Sequence, residues 1–409
     1  MKTYNSYKFR MYPTPEQEEL LFKTIGAVRK MYNLLLEGYN ANYELYKNEE
    51  ISKKEYFQNR NAVKPVTFTS REEYDYLAEV DSTALKYAYK HVKQAFNNFF
   101  AGRAKKPVFK SRNRSKWTYT TCRASKTAKN LRLTKNGKLY LPKMTKNPIK
   151  VVVSKNPVGT LVSATIEKTR SGKWFVSLQY EHHTKMPVYP QTLEELKNPI
   201  GVDMGLKELA VTSEGELFTN PKHAYKAKKR LAKLDRSLSR KREQAKRDGR
   251  DLKDCKNYQK AKEKRAKAYE KVRNQREDAL HKITTDLVNN HDFIAVEDLS
   301  AENLKKNHNL AFAISDASWR SFLAKLEYKA ENQGKVVQTI DRYYASTQTC
   351  SCCGSITGPK GYSELSVREW ECSECGSQHD RDVNATINIL NKGLEEFIAV
   401  GTTVGCTLK

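Results

Sequence analysis

Four cysteines near the C-terminal end of the chain have the spacing of a metal site. Cys350 and Cys353 form one C-x2-C pair, Cys372 and Cys375 form a second, and eighteen residues separate the two pairs. Pairs at this separation bring four thiolates around one Zn2+ ion in a closed tetrahedron. Because no coordination position is left open, the predicted zinc ion is structural. Cys352, inside the first pair, has a spacing that fits less well.

Three carboxylates stand where predicted core elements begin or end, and they could do chemistry. Asp203 ends the short strand IGVD, Glu297 ends the apolar strand FIAVE, and Asp382 opens a helical pattern seven residues after Cys375. Three converging carboxylates suit two hard cations, one of which activates water while the other stabilises the leaving oxygen of a phosphodiester. Mg2+ fits because it binds few carboxylates and keeps waters and phosphate oxygens as its other ligands. The sequence therefore predicts two Mg2+ ions, with Mn2+ as an alternative.

Simpler interpretations of these acids stay open. Asp is a favoured N-cap residue, so Asp382 taken alone could merely cap its helix. Neighbours on a strand point to opposite faces, so Glu297 and Asp298 cannot both face one site. Asp380 is a second acid beside a candidate. The chain order Asp, Glu, Asp fits an RNase H-like nuclease of the RuvC kind rather than a transposase with the order Asp, Asp, Glu, but the spacing alone is weak evidence, since three acids can be chosen from 47.

The charge of the chain points to a polyanionic partner. The 409 residues carry a formal net charge of +27, from 74 basic and 47 acidic side chains. So large an excess repels itself unless nucleic acid compensates it. About half of the excess lies in residues 221–280, which hold 23 Lys or Arg and 9 Asp or Glu. A charge run is usually a solvated face, but this imbalance favours helices that line a nucleic-acid backbone.

The ends and apolar runs of the chain bear on its compartment. MKTYNSYKFR has no apolar core after its charges, so it does not resemble a secretory signal. No apolar run approaches the roughly 18 residues that span a bilayer. We therefore expect no membrane partner and a reducing intracellular compartment. Cysteines that are merely buried, or disulfides of a secreted protein, are the alternatives to the zinc site.

The elements that position these residues follow from the periodicity. Residues up to about 100 are helical, and the clearest helix opens near Ser82 and Thr83, with Lys86 on its polar face. Residues 107–180 alternate with period two, and turns at 136–137 and at 171–172 predict hairpins of a β-barrel or sheet.

A second domain begins near Ile200. Gly201 and Gly205 flank Asp203, and their missing side chains would let a metal and a phosphate approach closely.

Segments along nearly the whole chain, taken in order, resemble the TnpB family of transposon-encoded RNA-guided nucleases, which are related to compact type V CRISPR effectors. The resembling segments are KFRMYPTPEQ, GAVRKMYN, LAEVDSTALKYA, AFNNFF, PVFKSR, IGVDMGLKELAVTS, FIAVEDLSAENLKKN, SWRSFLAKLEYKA, STQTCSCCG and WECSECGSQHDRDVNATINIL.

The resemblance implies roles for the candidate residues. Asp203, Glu297 and Asp382 would be the catalytic acids of a RuvC-like domain and its Mg2+ ligands, and the four cysteines would hold a zinc ribbon inserted before the last acid. The helix at Ser82 would help to read a short DNA motif beside the target. Ser82, Thr83 and Lys86 are the implied nucleic-acid-binding positions, although many relatives have Gln where this chain has Lys86.

The resemblance also implies the fold and the partners. The expected fold is α+β and multidomain, with a β-barrel wedge domain (1–12 and 105–185), a helical recognition insertion (13–104), a linker (186–198), an RNase H-like RuvC α/β domain with basic helices at 221–290 (199–342 and 380–409) and the zinc ribbon (343–379). The implied partners are a guide RNA from the element and double-stranded target DNA, bound by a monomer in the prokaryotic cytoplasm or nucleoid.

The predicted function is therefore an RNA-guided DNA endonuclease of an insertion-sequence element. A guided repressor that does not cleave is the first alternative, although all three acids are present. A guide-independent nuclease acting on branched DNA and a zinc-ribbon binding module without chemistry are the others.

Overall fold

The computed structural model describes residues 2–125, 127–184, 187–299, 304, 306–360, 364 and 366–406. The chain is mixed α/β and divides into two compact units, residues 1–185 and 186–409, which are described separately. The predicted linker begins at residue 186 and the predicted last domain ends at 407–409, positions that lie outside the described residues. Within the described part, no helix combines the length and apolar character needed to cross a membrane.

The first unit is built on a seven-stranded antiparallel sheet. Its strands are β1 (Lys2–Tyr12), β2 (Trp117–Cys122), β3 (Arg132–Leu133), β4 (Lys138–Tyr140), β5 (Ile149–Val152), β6 (Thr160–Lys168) and β7 (Trp174–His183). The order is β2-β6-β7-β1-β5-β4-β3, so the described pairings leave β2 and β3 as edges and do not close a ring. Gly137 and Gly172 have positive φ at the two predicted hairpin turns, as such turns require.

Helices pack against this sheet and share its apolar core. They are α1 (Pro15–Lys47), α2 (Lys53–Ala62), α3 (Val66–Thr69) and α4 (Ser82–Phe100), with a 3-10 segment at Glu72–Glu79. Thr14 and Gln17 form a reciprocal capping box at the start of α1. Helix α4 begins at Ser82, where the sequence predicts a helix, and Leu85, Ala88 and Val92 form its buried face.

The second unit has a five-stranded mixed sheet in the order β10-β9-β8-β11-β12. Its strands are β8 (Pro199–Asp203), β9 (Glu208–Thr212), β10 (Leu217–Thr219), β11 (Phe293–Glu297) and β12 (Val336–Ile340). Strands β8, β11 and β12 run parallel, while β9 and β10 continue the sheet as antiparallel hairpins. The apolar run of β11 is buried from Phe293 to Val296, as expected for a central strand.

Helices and a small ribbon complete the second unit. The helices are α5 (His223–Arg247), α6 (Lys256–Asn290), α7 (His308–Ala317), α8 (Trp319–Gln333) and α9 (Arg381–Cys406), with a 3-10 turn at Leu193–Glu195. The basic stretch is thus a hairpin of α5 and α6, and Asp248 follows α5 as its C-cap residue, just before the left-handed Gly249. The ribbon contains β13 (Glu369–Glu371) and β14 (Gln378–Asp380), which pair antiparallel.

Two glycines allow α9 to lie directly on the sheet. A Cβ at Gly201 of β8 would overlap the carbonyl oxygen of Thr386, and a Cβ at Gly393 would lie 2.6 Å from the Ala295 Cβ of β11. The prediction that Gly201 leaves room for a metal or a phosphate is therefore wrong, because that space is filled by α9. The close approach matters because α9 begins beside Asp382 and β8 ends at Asp203.

Candidate functional site

Two of the predicted acids end neighbouring parallel strands. Val202 of β8 is in register with Val296 of β11, so Asp203 and Glu297 follow at equivalent positions. The carboxyl ends of these strands meet at one edge of the sheet, where ligand sites form in α/β proteins. Asp298, the residue after Glu297, forms an ion pair with Arg342.

The third acid enters from the helix that packs on these strands. Asp382 is the second residue of α9, directly after β14. The helix is capped by Asp380, whose Oδ1 accepts hydrogen bonds from the N–H groups of Asp382 and Val383, both at 2.9 Å. The interpretation of Asp382 as a mere cap is therefore wrong, and its side chain is left for other partners.

The charges of Glu297 and Asp382 act on the Asp203 carboxyl group. Burial, followed by the nearby charges of Glu297 and Asp382, raises the pKa of Asp203 to about 7. Burial also raises the pKa of Glu297, while a hydrogen bond from the Ser346 hydroxyl to Oε1 at 2.5 Å opposes that rise. Mutual repulsion of this kind is relieved by a bound cation.

Carboxylate oxygens are the ligands that hard divalent cations prefer. In this structure, however, the oxygens of the three acids do not lie close enough together to surround one ion. Possible metal ligands count as a group when three or more of their donor atoms all lie within 4.8 Å of one another. Among the described residues, ribbon residues form such groups and these three acids do not. Arginines lie where a cation would be expected: Arg368 and Arg381 both form ion pairs with Asp382. Neither arginine was identified from the sequence, although Arg381 lies between the two acids Asp380 and Asp382.

The cysteine cluster has the dimensions of a zinc site. The Sγ atoms of Cys350, Cys353, Cys372 and Cys375 all lie within 4.8 Å of one another. The Cys350–Cys375 and Cys353–Cys372 sulfur distances are both 3.6 Å. Thiolates at 2.3 Å from one tetrahedral Zn2+ would be about 3.8 Å apart, so the four side chains fit the ion.

The surroundings of the cluster bear on which residues are ligands. Thr357 donates a hydrogen bond to Cys372 Sγ at 3.2 Å and lowers the pKa of that thiol to about 6. The His379 Nε2 atom lies 3.0 Å from Cys350 Sγ, and Cys350, Cys352 and His379 form a second possible group. The four-cysteine set offers the complete closed tetrahedron, whereas the second group offers three donors.

The predicted nucleic-acid-binding positions lie at the start of α4 in the first unit. Ser82 and Lys86 are exposed. Thr83 is half-buried, and its hydroxyl lies 2.6 Å from both Asp81 Oδ1 and Thr121 Oγ1. Asp81, which caps α4, also accepts a hydrogen bond from the Thr83 N–H. Ser82 and Lys86 therefore present their polar atoms to solvent, while the Thr83 hydroxyl is bonded within the unit.

The raised pKa of Asp203 predicts a pH-dependent stability. The folded protein holds the Asp203 proton up to about pH 7, whereas an unfolded Asp loses it near pH 4. In magnesium-free buffer, the unfolding free energy should therefore fall as pH rises from about 4 to about 7, by at most about 1.4 kcal/mol per pH unit. Urea titrations of wild type and Asp203→Asn across this range would measure it. An identical pH dependence of the unfolding free energy in the two proteins would contradict the raised pKa of Asp203.

Three family models match the chain. A model described as "Probable transposase" (OrfB_IS605) matches residues 177–308. A Cas12f1-like TNB domain model matches residues 319–389. A model described as a helix-turn-helix domain matches residues 1–48, where the structure has strand β1 and the single long helix α1.

Relatives and solved structures match over almost the full chain. A Streptomyces pristinaespiralis protein, provisionally named as an RNA-guided DNA endonuclease, is 38% identical over 391 residues, which are 95% of this chain and 89% of that protein. InsQ of Escherichia coli strain K12, provisionally named in the same way, is 29% identical and covers 96% of this chain and 93% of its own. The Cas12f1 chain of a cryo-EM complex with sgRNA and target DNA matches with a TM-score of 0.56 at 13% identity, over 95% of this chain and 99% of that chain. At that identity the likeness shows the fold alone.

Proposed function

The chain belongs to the TnpB family, and on that premise we propose that it is an RNA-guided DNA endonuclease of an insertion-sequence element. The observation that carries this proposal is that Asp203 and Glu297 end adjacent parallel strands, and that the charges of Glu297 and Asp382 help to raise the pKa of Asp203. Relatives at 38% and 29% identity, both provisionally named as RNA-guided DNA endonucleases, support it.

The second unit would be the nuclease. The order β10-β9-β8-β11-β12, with an antiparallel hairpin pair followed by parallel strands, supports an RNase H-like fold of the RuvC kind for residues 199–342 and 380–409. Asp203, Glu297 and Asp382 would hold two Mg2+ ions, which supply an activated water and stabilise the leaving oxygen of the phosphodiester. Arg368 and Arg381, which pair with Asp382, would yield that carboxylate when the cations bind.

The ribbon would hold one structural zinc ion. Cys350, Cys353, Cys372 and Cys375 would supply four thiolates, and the ion would fix residues 343–379 beside the start of α9. The close sulfur distances support this assignment more strongly than the alternative group with Cys352 and His379.

The remaining parts would bind nucleic acid as a monomer, in the prokaryotic cytoplasm or nucleoid. The sheet of the first unit would serve as the wedge domain, and residues 13–104 as the recognition insertion that reads a short motif beside the target. The basic hairpin of α5 and α6 would hold guide RNA or the RNA–DNA heteroduplex through its phosphates. Base pairing with the guide would supply the remaining sequence specificity.

A plasmid cleavage assay tests the function. The protein would be expressed with its downstream flanking RNA, purified, and given Mg2+ and a plasmid that carries a guide-matched target beside a randomised motif. Guide-dependent double-strand cutting, lost in Asp382→Ala, is the expected result, and the cut molecules would reveal the motif. Guide-dependent binding without cutting would instead support the repressor. If neither binding nor cutting needed the RNA, the guided mechanism would be wrong.

Lys86 provides a test of DNA binding by the first unit. We expect Lys86→Ala to weaken binding of motif-containing duplex about threefold to tenfold and to reduce the slope of log affinity against log salt by about one, because one phosphate or base contact is lost. Fluorescence anisotropy at several salt concentrations measures both. Lys93→Ala removes an exposed lysine farther along α4 and is the matched control. Equal effects of the two substitutions would mean that Lys86 contributes only to the general charge.

A further inference from the structure

A short segment that leads into the first cysteine pair touches one of the candidate catalytic acids. We call residues 346–351 the strap. Ser346 is 4% exposed, and its hydroxyl donates a hydrogen bond of 2.5 Å to Glu297 Oε1. A hydroxyl that bonds an ionised carboxylate at this distance makes a strong, charge-assisted hydrogen bond. The orientation of the Glu297 carboxylate therefore depends on where the strap lies.

The strap is held in turn by α9. Asn388 donates through Nδ2 to the carbonyl oxygens of Ser346 and Thr349, at 2.8 and 2.6 Å. Asn384 donates through Nδ2 to the Thr349 carbonyl at 2.8 Å and accepts from the Ser351 N–H at 2.9 Å. The two asparagines are 1% and 3% exposed and lie one turn apart on the same helix. Buried amides without such partners would be costly, so these bonds fix the strap on the helix.

The strap therefore connects three parts of the proposed nuclease. It lies on α9, the helix whose first turn carries Asp382. It contacts Glu297 at the end of β11, and it contains Cys350 of the zinc-type cluster. If the strap served only to connect two elements, its backbone bonds to α9 would be enough to hold it in place. It would not need a buried hydroxyl turned toward a carboxylate.

We propose that Ser346 is the positioning residue of Glu297, and that the strap, held by Asn384 and Asn388, sets Glu297 and Asp382 in one arrangement for cation binding. The proposal deepens the proposed endonuclease function and rests on it. Ser346 acts through Glu297 and does not itself contact the cations or the DNA.

The test compares cation binding and cleavage in matched variants of the full chain with its guide RNA. Without the hydroxyl, the Glu297 carboxylate can rotate away, and loss of a group that orients a metal ligand typically costs 10- to 100-fold. We expect Ser346→Ala to weaken Mn2+ binding, followed by electron paramagnetic resonance, about tenfold or more, and to slow cleavage by a similar factor. Zinc content and guide RNA affinity should stay unchanged. Ser346→Thr keeps the hydroxyl and should retain most of the wild-type Mn2+ affinity and cleavage rate.

Two controls separate positioning from a general effect on the fold. Thr347→Ala removes a hydroxyl from the next residue of the strap and should leave Mn2+ affinity unchanged. In a Glu297→Gln background, adding Ser346→Ala should not weaken Mn2+ binding further, since the acceptor that Ser346 orients is already altered. Normal Mn2+ affinity in Ser346→Ala, or the same loss in Thr347→Ala, would overturn the proposal. If the wild type fails to cut DNA, the endonuclease function fails, whereas the Mn2+ comparison still decides the role of Ser346.

Discussion

Asp203→Asn is expected to abolish target cleavage, with a rate at least about a thousandfold below wild type. The substitution removes a negative charge at the end of β8, where Asp203 lies within the field of Glu297 and Asp382. A neutral amide cannot hold two hard cations with the other acids, and loss of a group that acts as part of a unit typically removes most of the rate enhancement. Single-turnover cleavage of a guide-matched plasmid measures the effect.

The same variant should keep its other properties, which makes the result specific. Guide RNA binding should be unchanged, because it is proposed to depend on the basic side chains of α5 and α6 and not on this carboxylate. Without metal, Asp203→Asn should be more stable than metal-free wild type near pH 7, since it lacks the Asp203 charge and the repulsion of that charge by Glu297 and Asp382. Improved thermal stability together with lost cleavage cannot be explained by misfolding.

Asp298→Asn is the matched control for this experiment. Asp298 is adjacent in sequence to Glu297, and its exposed ion pair with Arg342 is worth little to stability. Its loss should leave the cleavage rate within about twofold of wild type. A large loss of cleavage in Asp298→Asn, with normal cleavage in Asp203→Asn, would contradict the assignment of the site.

The parts of the fold that local chemistry specifies could be predicted from the sequence. Thr14 and Gln17 cap α1 reciprocally, and a positive φ at Gly137 and Gly172 permits the hairpin turns, because these features depend on residues close together in the chain. The cysteine spacing likewise predicted a cluster whose four sulfurs the structure brings together.

Features that depend on contacts between distant segments were not predictable in this way. Gly201 looked like a gap for a ligand, but Thr386, far along the chain, fills it. The bond from Ser346 to Glu297 joins residues separated by two helices and a strand, and the ion pair of Arg368 with Asp382 joins residues on either side of the β13–β14 hairpin. Asp380 could have been recognised as the cap of α9, since an acid just before a helix start is a local signal.

Cys372→Ser is expected to release the zinc ion and to lower cleavage at least about a hundredfold. Three remaining thiolates bind zinc far more weakly, and structural zinc contributes about 10–16 kcal/mol to small domains that depend on it. The ribbon carries Arg368, which pairs with Asp382. Cys350 lies in the strap, which is bonded to α9 and contacts Glu297. Loss of order in the ribbon would therefore disturb both acids. The sheet of the second unit has its own buried core and should remain folded.

The measurements for Cys372→Ser are zinc stoichiometry, circular dichroism, guide RNA affinity and cleavage rate on the same preparation. Cys352→Ser is the matched control, because the exposed Cys352 lies in the first pair but outside the four-cysteine set. It should keep one zinc ion and normal cleavage. Loss of zinc in Cys352→Ser and in His379→Ala, with retention in Cys372→Ser, would instead identify Cys350, Cys352 and His379 as ligands. Full cleavage by a zinc-free Cys372→Ser protein would mean that the ribbon does not position the acids, and the nuclease sheet would then have to form its site alone.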